Sequence, residues 1–249
     1  MSLPSPLRFI NILLAGIFWI SGCAFFSDPE YPGLPPSKPQ FLGDTRGYYD
    51  VSGRILFKSP EGKHSGEMLL QISTNSELKL SIFTPLAGSL IYELRANYEK
   101  FLILNYQDNN YALEDNNWEV RQSWLGMDLS LTELKWLITG SLPEKTPLWQ
   151  RKKLSAGELK LLQGSTEIRI ILNSDGYIES MSKSRDELLE YSAKIPLYQN
   201  IENFYFPRKI QIEDYTGNNR WMMSISEINA VFGSIKNLDF IPPEEMNAL

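Results

Sequence analysis

The apolar positions of this chain fall into short runs, the clearest of which has a period of two. Leu78, Leu80 and Ile82 alternate with Lys79 and Ser81, as in a half-buried strand. Arg54-Ile55-Leu56-Phe57, Met68-Leu69-Leu70-Gln71-Ile72, Leu90-Ile91-Tyr92-Glu93-Leu94 and Phe101-Leu102-Ile103-Leu104 are further apolar runs, placed at regular intervals along the chain. The gaps hold turn formers: Ser59-Pro60-Glu61-Gly62, Thr74-Asn75-Ser76, Asn97 and Asp108-Asn109-Asn110. The first half therefore reads as an antiparallel meander. Strands resume with Glu167–Leu172 and Tyr177–Met181 across Asn173-Ser174-Asp175-Gly176, where Asp-Gly is a strong hairpin signal. Leu188–Ala193 is another strand, and Phe206–Ile212 pairs with Trp221–Ile225 across Thr216-Gly217-Asn218-Asn219.

Two helices interrupt the strands. Asn116 is a candidate N-cap, with Glu119 three residues on and a stop at Gly126. Ser130-Leu131-Thr132-Glu133 is a capping box, in which hydroxyl and carboxylate each satisfy a first-turn amide. Leu131, Leu134, Leu137 and Ile138 then share one face, and Gly140 with Pro143 ends the helix. The pair carries Trp118, Trp124 and Trp136. Glu144–Gly164 has no readable period, and the tail from Ile235 to Leu249, with Pro242-Pro243-Glu244-Glu245, reads as loose. The expectation is a mainly β domain of about eleven strands with two or three short helices.

The N-terminus has a different texture. Phe9–Phe26 holds no charge, and Ile20-Ser21-Gly22-Cys23 closes its apolar run. Small residues before a cysteine are what a bacterial lipoprotein signal peptide requires at its cleavage site. On this reading residues 1–22 are removed and the Cys23 thiol carries a diacylglyceryl group. The competing reading is an uncleaved anchor, although the run is shorter than the roughly 20 residues that span a bilayer. Ala24 is not the aspartate that retains lipoproteins at the inner membrane of enteric bacteria, which favours an outer-membrane destination on the periplasmic face. Residues 23–47 hold Pro29, Pro32, Pro35, Pro36 and Pro39 and read as an extended tether. The folded body is expected over 48–232 and the tail over 233–249.

Charge and chemistry narrow the function. The whole chain has 24 Lys+Arg and 30 Asp+Glu; without residues 1–22, which contain only Arg8, the balance is 24 − 1 = 23 against 30. A mildly acidic body is unsuited to non-specific nucleic-acid binding. Cys23 is the single cysteine, so no intramolecular disulfide forms. His64 is the single histidine, which leaves no His/Cys metal set, and the residues point to no metal and no cofactor. No Gly-x-Ser-x-Gly, P-loop or Gly-x-Gly-x-x-Gly occurs. Carboxylates are abundant, and a glycosidase-like pair among them would be visible only in space. The expectation is a protein that is not an enzyme, with His64 at a surface or rim.

Several local sequences, in order, resemble the LolB family of outer-membrane lipoprotein receptors, which belongs with LolA to a lipoprotein-carrier superfamily. Ser52-Gly53-Arg54-Ile55 is similar to its Gly-Arg-Ile entry. Thr84-Pro85-Leu86-Ala87-Gly88-Ser89-Leu90 resembles its Pro-Leu-Gly loop, with Ala87 intervening. Leu131–Pro143 is similar to its Leu-x-x-Trp helix, and Tyr205-Phe206-Pro207-Arg208-Lys209-Ile210 to its proline-led strand. The likeness runs from about Val51 to Ile228. It implies an open half-barrel with a short-helix lid over an apolar cavity that holds lipoprotein acyl chains handed over by a LolA-like carrier. It also implies that Trp118, Trp124, Leu131, Leu134, Trp136, Leu137 and Ile138 form lid and cavity wall, ordinary core being the alternative. Pro85, Leu86, Ala87 and Gly88 would form a membrane-insertion loop with Leu86 as an exposed finger, the alternative being a leucine folded onto the rim. A monomer is expected. A binding module for another amphiphile, and a structural outer-membrane lipoprotein without cargo, are the competing functions.

Overall fold

The computed structural model describes residues 47–60, 62–73, 77–140, 142, 148–201, 204–216, 218–236 and 238–249. Cys23 and the tether before Gly47 lie outside them. Six strands come first: β1 (Gly47–Ser59), β2 (Gly62–Ser73), β3 (Leu78–Phe83), β4 (Leu90–Ala96), β5 (Lys100–Asn105) and β6 (Asn110–Asp115). Two helices follow, α1 (Trp118–Leu125) and α2 (Leu131–Thr139). The remaining strands are β7 (Gln150–Ser155), β8 (Glu158–Gln163), β9 (Thr166–Leu172), β10 (Ile178–Arg185), β11 (Leu188–Ile201), β12 (Phe204–Asp214), β13 (Arg220–Phe232) and β14 (Asn247–Ala248). They make one 14-stranded sheet in the order β14-β6-β5-β4-β3-β2-β1-β13-β12-β11-β10-β9-β8-β7. The two ends of the order do not pair, so the sheet is open, as the half-barrel expectation required. Every neighbouring pair is antiparallel except β14 with β6.

The strand count exceeds the expected eleven for physical reasons. β6 buries only Ala112 and β7 buries nothing, so neither carries a period. β8 does alternate, with Leu159 and Leu161 buried, but over too short a span to stand out. The unreadable stretch thus contains a hairpin. The loose-tail expectation is corrected as well. Met246 and Phe240 pack on Leu102 and Leu104, Arg95 pairs with Asp239, and β14 covers the edge of β6. An edge strand with unpaired backbone groups gains from such a cover.

β1 and β13 join the two meanders. Their register shifts between Ser52 and Gly53, and a Cβ on Gly53 would stand 2.1 Å from the Ser224 carbonyl oxygen. The glycine of the Gly-Arg-Ile entry is therefore required by backbone approach at a bulge.

The helices are capped almost as the sequence predicts. The N-cap of α1 is Asn117 rather than Asn116; its side chain accepts from the Val120 amide at 2.9 Å. Asn116 instead accepts from Arg121. In α2 the Ser130 hydroxyl accepts from the Glu133 amide at 3.2 Å and the Glu133 carboxylate accepts from the Ser130 amide at 2.8 Å. Gly126 and Gly140 end the helices at φ 73° and 66°, a region that favours glycine.

A buried ion network pins this helical insert to the sheet. Lys183 of β10 is 4% exposed; its ammonium lies 2.7 Å from Asp128 and 3.2 Å from Glu133. Asp128, 1% exposed, is also held at 2.6 Å by both Arg121 and Arg185. Burial pushes the Asp128 carboxyl up, but Lys183 and Arg121 outweigh it and hold the group below its ordinary value. Tyr191 donates to Glu133 at 3.0 Å; burial, then the Glu133 charge, push its hydroxyl well above the usual phenol range.

Two outcomes are expected. Gly53→Ala forces β1 away from β13 and costs about 1–3 kcal/mol, read as a lower urea midpoint. Lys183→Met leaves Asp128 and Glu133 buried without their shared cation and costs about 3–5 kcal/mol in the same measurement. A loss below about 1 kcal/mol would mean the network does not anchor the insert.

Candidate functional site

The concave face of the sheet is filled on one half and vacant on the other. α2 lies against β12, and its Trp136, Leu137 and Ile138 are buried in the main core. Over β1 to β5 no helix among the described residues fills the space in this way, and a cleft of about 690 Å³ remains. Its wall is apolar: Ile55 and Phe57 of β1, Leu80 and Ile82 of β3, Ile91 and Leu94 of β4, Ile103 of β5, Trp124 and Leu125 of α1, and Trp221 of β13. On β1 and β3 these residues face inward because the period of two puts alternate positions on one side of a strand, whereas Ile91 and Leu94 are three apart on β4, Ile91 falling in the pairing irregularity opposite Ile82 and Phe83.

The indole N–H groups are satisfied by defined partners. Trp124 donates to Glu114 at 3.0 Å, and Trp221 donates to the Leu125 carbonyl at 3.1 Å. Their rings are left as apolar wall, and Phe57 meets Trp221 edge to face with centroids 5.6 Å apart. The polar lining includes Lys63, His64, Ser65, Asn105, Gln107 and Asn110, with the carboxylate of Glu93 held by Arg95 at 2.6 Å and by Ser81 at 3.2 Å. His64 stands on an exposed position of β2 at this lining, consistent with a rim residue.

The β3–β4 loop stands at the mouth. Thr84 and Pro85 line the cleft. The Thr84 amide donates to the Ser89 carbonyl at 2.9 Å, and the Ser89 amide donates to the Thr84 hydroxyl at 3.1 Å. Gly88 takes φ 63°, which lets the chain return at once. Leu86, at the tip of this tied loop, is 102% exposed.

A family model described as outer membrane lipoprotein LolB matches residues 48–227. The chain belongs to the LolB family. No curated protein matches it in sequence. Among solved structures, a LolA superfamily protein from Nitrosomonas europaea is 11% identical with a TM-score of 0.54, covering 79% of this chain and 91% of that one. A DUF1329 family protein from Desulfovibrio piger is 7% identical with a TM-score of 0.53, covering 78% and 89%. At these identities the likeness concerns the fold alone.

In this LolB-family chain the sequence-predicted lid residues separate. Trp124 lines the cleft. Trp136, Leu137 and Ile138 are core, and Leu131 and Leu134 are partly buried against it. Trp118 is 45% exposed, with the Arg185 guanidinium 4.6 Å from its ring centroid. α2 packs on the β12 half of the sheet, and the residues that line the cleft come from α1 and the strands. Sequence reasoning did not single out Trp221 or the named strand residues of the wall. The alternation of Leu80 and Ile82 did mark an inward face, but an emptied core and a filled one share that signal. Pro85 and Leu86 are at the cleft mouth, with Ala87 and Gly88 completing the turn.

Replacing Ile103 with Trp adds bulk to the vacant half. Binding of a fluorescent apolar dye such as ANS is expected to drop while the thermal midpoint holds. Undiminished dye binding would place the dye elsewhere.

Proposed function

We propose that this protein is an outer-membrane lipoprotein receptor. It accepts lipoproteins from a LolA-like periplasmic carrier, shields their acyl chains in the cleft and releases them into the outer membrane. The observation that carries this reading is the β3–β4 loop: Thr84 and Pro85 stand in the wall of an open apolar cleft, and the next residue, Leu86, projects entirely into solvent.

Each methylene hidden from water contributes about 0.8 kcal/mol, so a multiply acylated protein needs a shield to cross an aqueous space. A receptor must also give the chains up. The cleft suits both demands, since its wall is apolar while Lys63, His64, Asn105 and Gln107 line it alongside. No bond is made or broken, and no catalytic residue is required. Cys23 supplies the lipid anchor, residues 23–47 the tether, and residues 48–232 the body that carries cargo. Leu86 enters the bilayer interface first and couples the mouth of the cleft to the membrane.

The test uses a LolA-like carrier loaded with a labelled lipoprotein, the full chain, and vesicles. Leu86→Glu is expected to fold and to take cargo from the carrier, but to deliver it to vesicles about tenfold more slowly or worse, because a charge replaces a side chain worth about 1.5–3 kcal/mol in an apolar phase. Delivery at the wild-type rate by Leu86→Glu would falsify the role of the loop. Failure of the unaltered chain to take cargo would remove the receptor reading itself and favour a module for another amphiphile.

A further inference from the structure

One end of the sheet is a strand with no buried residue. β7 is last in the strand order, so its outer backbone edge pairs with no other strand among the described residues. Gln150, Arg151, Lys152, Lys153, Leu154 and Ser155 are all exposed. Trp149, just before them, packs against the main core and moors the strand. β7, β8 and β9 together carry five cations against two carboxylates, on a chain whose formal charge is −6.

Register places these cations. Lys152 stands opposite Lys160, and Lys160 opposite Arg169. Residues opposite each other share a face, so the three form one row. That face is turned away from Leu159, Leu161, Ile168 and Ile170, which are buried. Glu167 takes Lys160 at 2.5 Å, and Glu158 takes Arg169. Among the described residues Lys152 has no ion-pair partner, and neither has Lys153, which stands opposite Leu159 at the margin of the core. Like charges directly opposite each other destabilise a sheet, so the Lys152–Lys160 pair does not serve the fold.

Lysines on an edge strand do discourage sheets from pairing with one another. That accounts for charge, but not for the leucines beside it. Leu148 is 73% exposed before the strand, and Leu154 is 42% exposed near its end. The β7–β8 register shifts between Lys153 and Ser155, which leaves Leu154 outside the ladder at a bulge. The sequence along the edge is therefore leucine, three cations, leucine, over about 20 Å at roughly 3.3 Å per residue. An edge built only to repel other edges has no use for exposed leucines. A lipid surface with anionic headgroups satisfies both kinds of residue. Aliphatic side chains reach the acyl boundary while the ammonium and guanidinium groups stay among the phosphates.

We infer that β7, together with Leu148, is a contact site for an anionic phospholipid surface. β7 lies nine places from β3 in the strand order, so this contact is distinct from the Leu86 loop. It orients the body on a bilayer, and it operates whether or not the cleft holds cargo.

The experiment follows an environment-sensitive dye on the full chain held in vesicles. The dye is attached to Gln150→Cys, and the unaltered chain, labelled in the same way, is the blank for Cys23. The vesicles are phosphatidylcholine alone or phosphatidylcholine mixed with phosphatidylglycerol. Dye emission is expected to shift to the blue in the mixed vesicles only, and high salt is expected to abolish the shift. Combining Lys152→Ala with Lys153→Ala is expected to cut it to about half or less, with an unchanged thermal midpoint, since both side chains are exposed. The same emission in both lipids, or a full shift in the double variant, would overturn the inference. An equal shift produced by soluble polyglutamate over neutral vesicles would assign the strand to an acidic protein segment and overturn it as well. Each of these failures leaves the receptor reading standing, because no cargo takes part.

Discussion

A lysine ammonium buried between two carboxylates holds the helical insert of this protein on one half of its sheet. Lys183 reaches Asp128 and Glu133 at once, and Arg121 and Arg185 complete the charge balance around Asp128. Such a network adds little to stability compared with a well-packed apolar alternative, because desolvation offsets most of its attraction. What it adds is position. It decides that α2 lies along β12 with Trp136, Leu137 and Ile138 in the core. With α2 there, no helix among the described residues fills the face of β1 to β5, where the cleft lies.

The cleft is best understood as a core from which part of the contents is missing. Its lining is what a sandwich or barrel would bury, down to the edge-to-face pair of Phe57 and Trp221. Two indole donors are tied to Glu114 and to the Leu125 carbonyl, so the rings stay apolar surfaces even without a guest. A vacancy of this kind weakens the fold, and the chain offsets it elsewhere. The bulged β1–β13 seam joins both meanders into one sheet, and the C-terminal segment seals the β6 edge through β14, Met246 and the Arg95–Asp239 pair.

The loops between strands carry two kinds of local tension, and they differ in origin. Leu86 is an exposed apolar side chain, unfavourable in water, on a loop tied by hydrogen bonds and a left-handed glycine. Glu187, in the β10–β11 turn, is a charged residue at φ 66°, a backbone conformation that disfavours it. Natural sequences tend to keep such violations where something other than folding selects them.

The local devices were legible in the sequence because their causes are local. The Ser130–Glu133 capping box, the glycine stops at 126 and 140 and the hairpin around Asp175-Gly176 involve residues a few positions apart. The alternation at Leu78, Leu80 and Ile82 revealed strands for the same reason. Elements without an internal period were not legible: β6, β7 and β14 exist because a neighbouring strand offers hydrogen bonds, not because their own residues repeat. Nor could the sequence divide the two roles of Glu133, which caps its helix and also receives Lys183 from fifty residues away. Which half of the sheet α2 packs on was decided by the tertiary structure alone. Trp124 and Trp136 look alike along the chain, and only the anchoring of the insert to β10 puts one in the cleft and the other in the core.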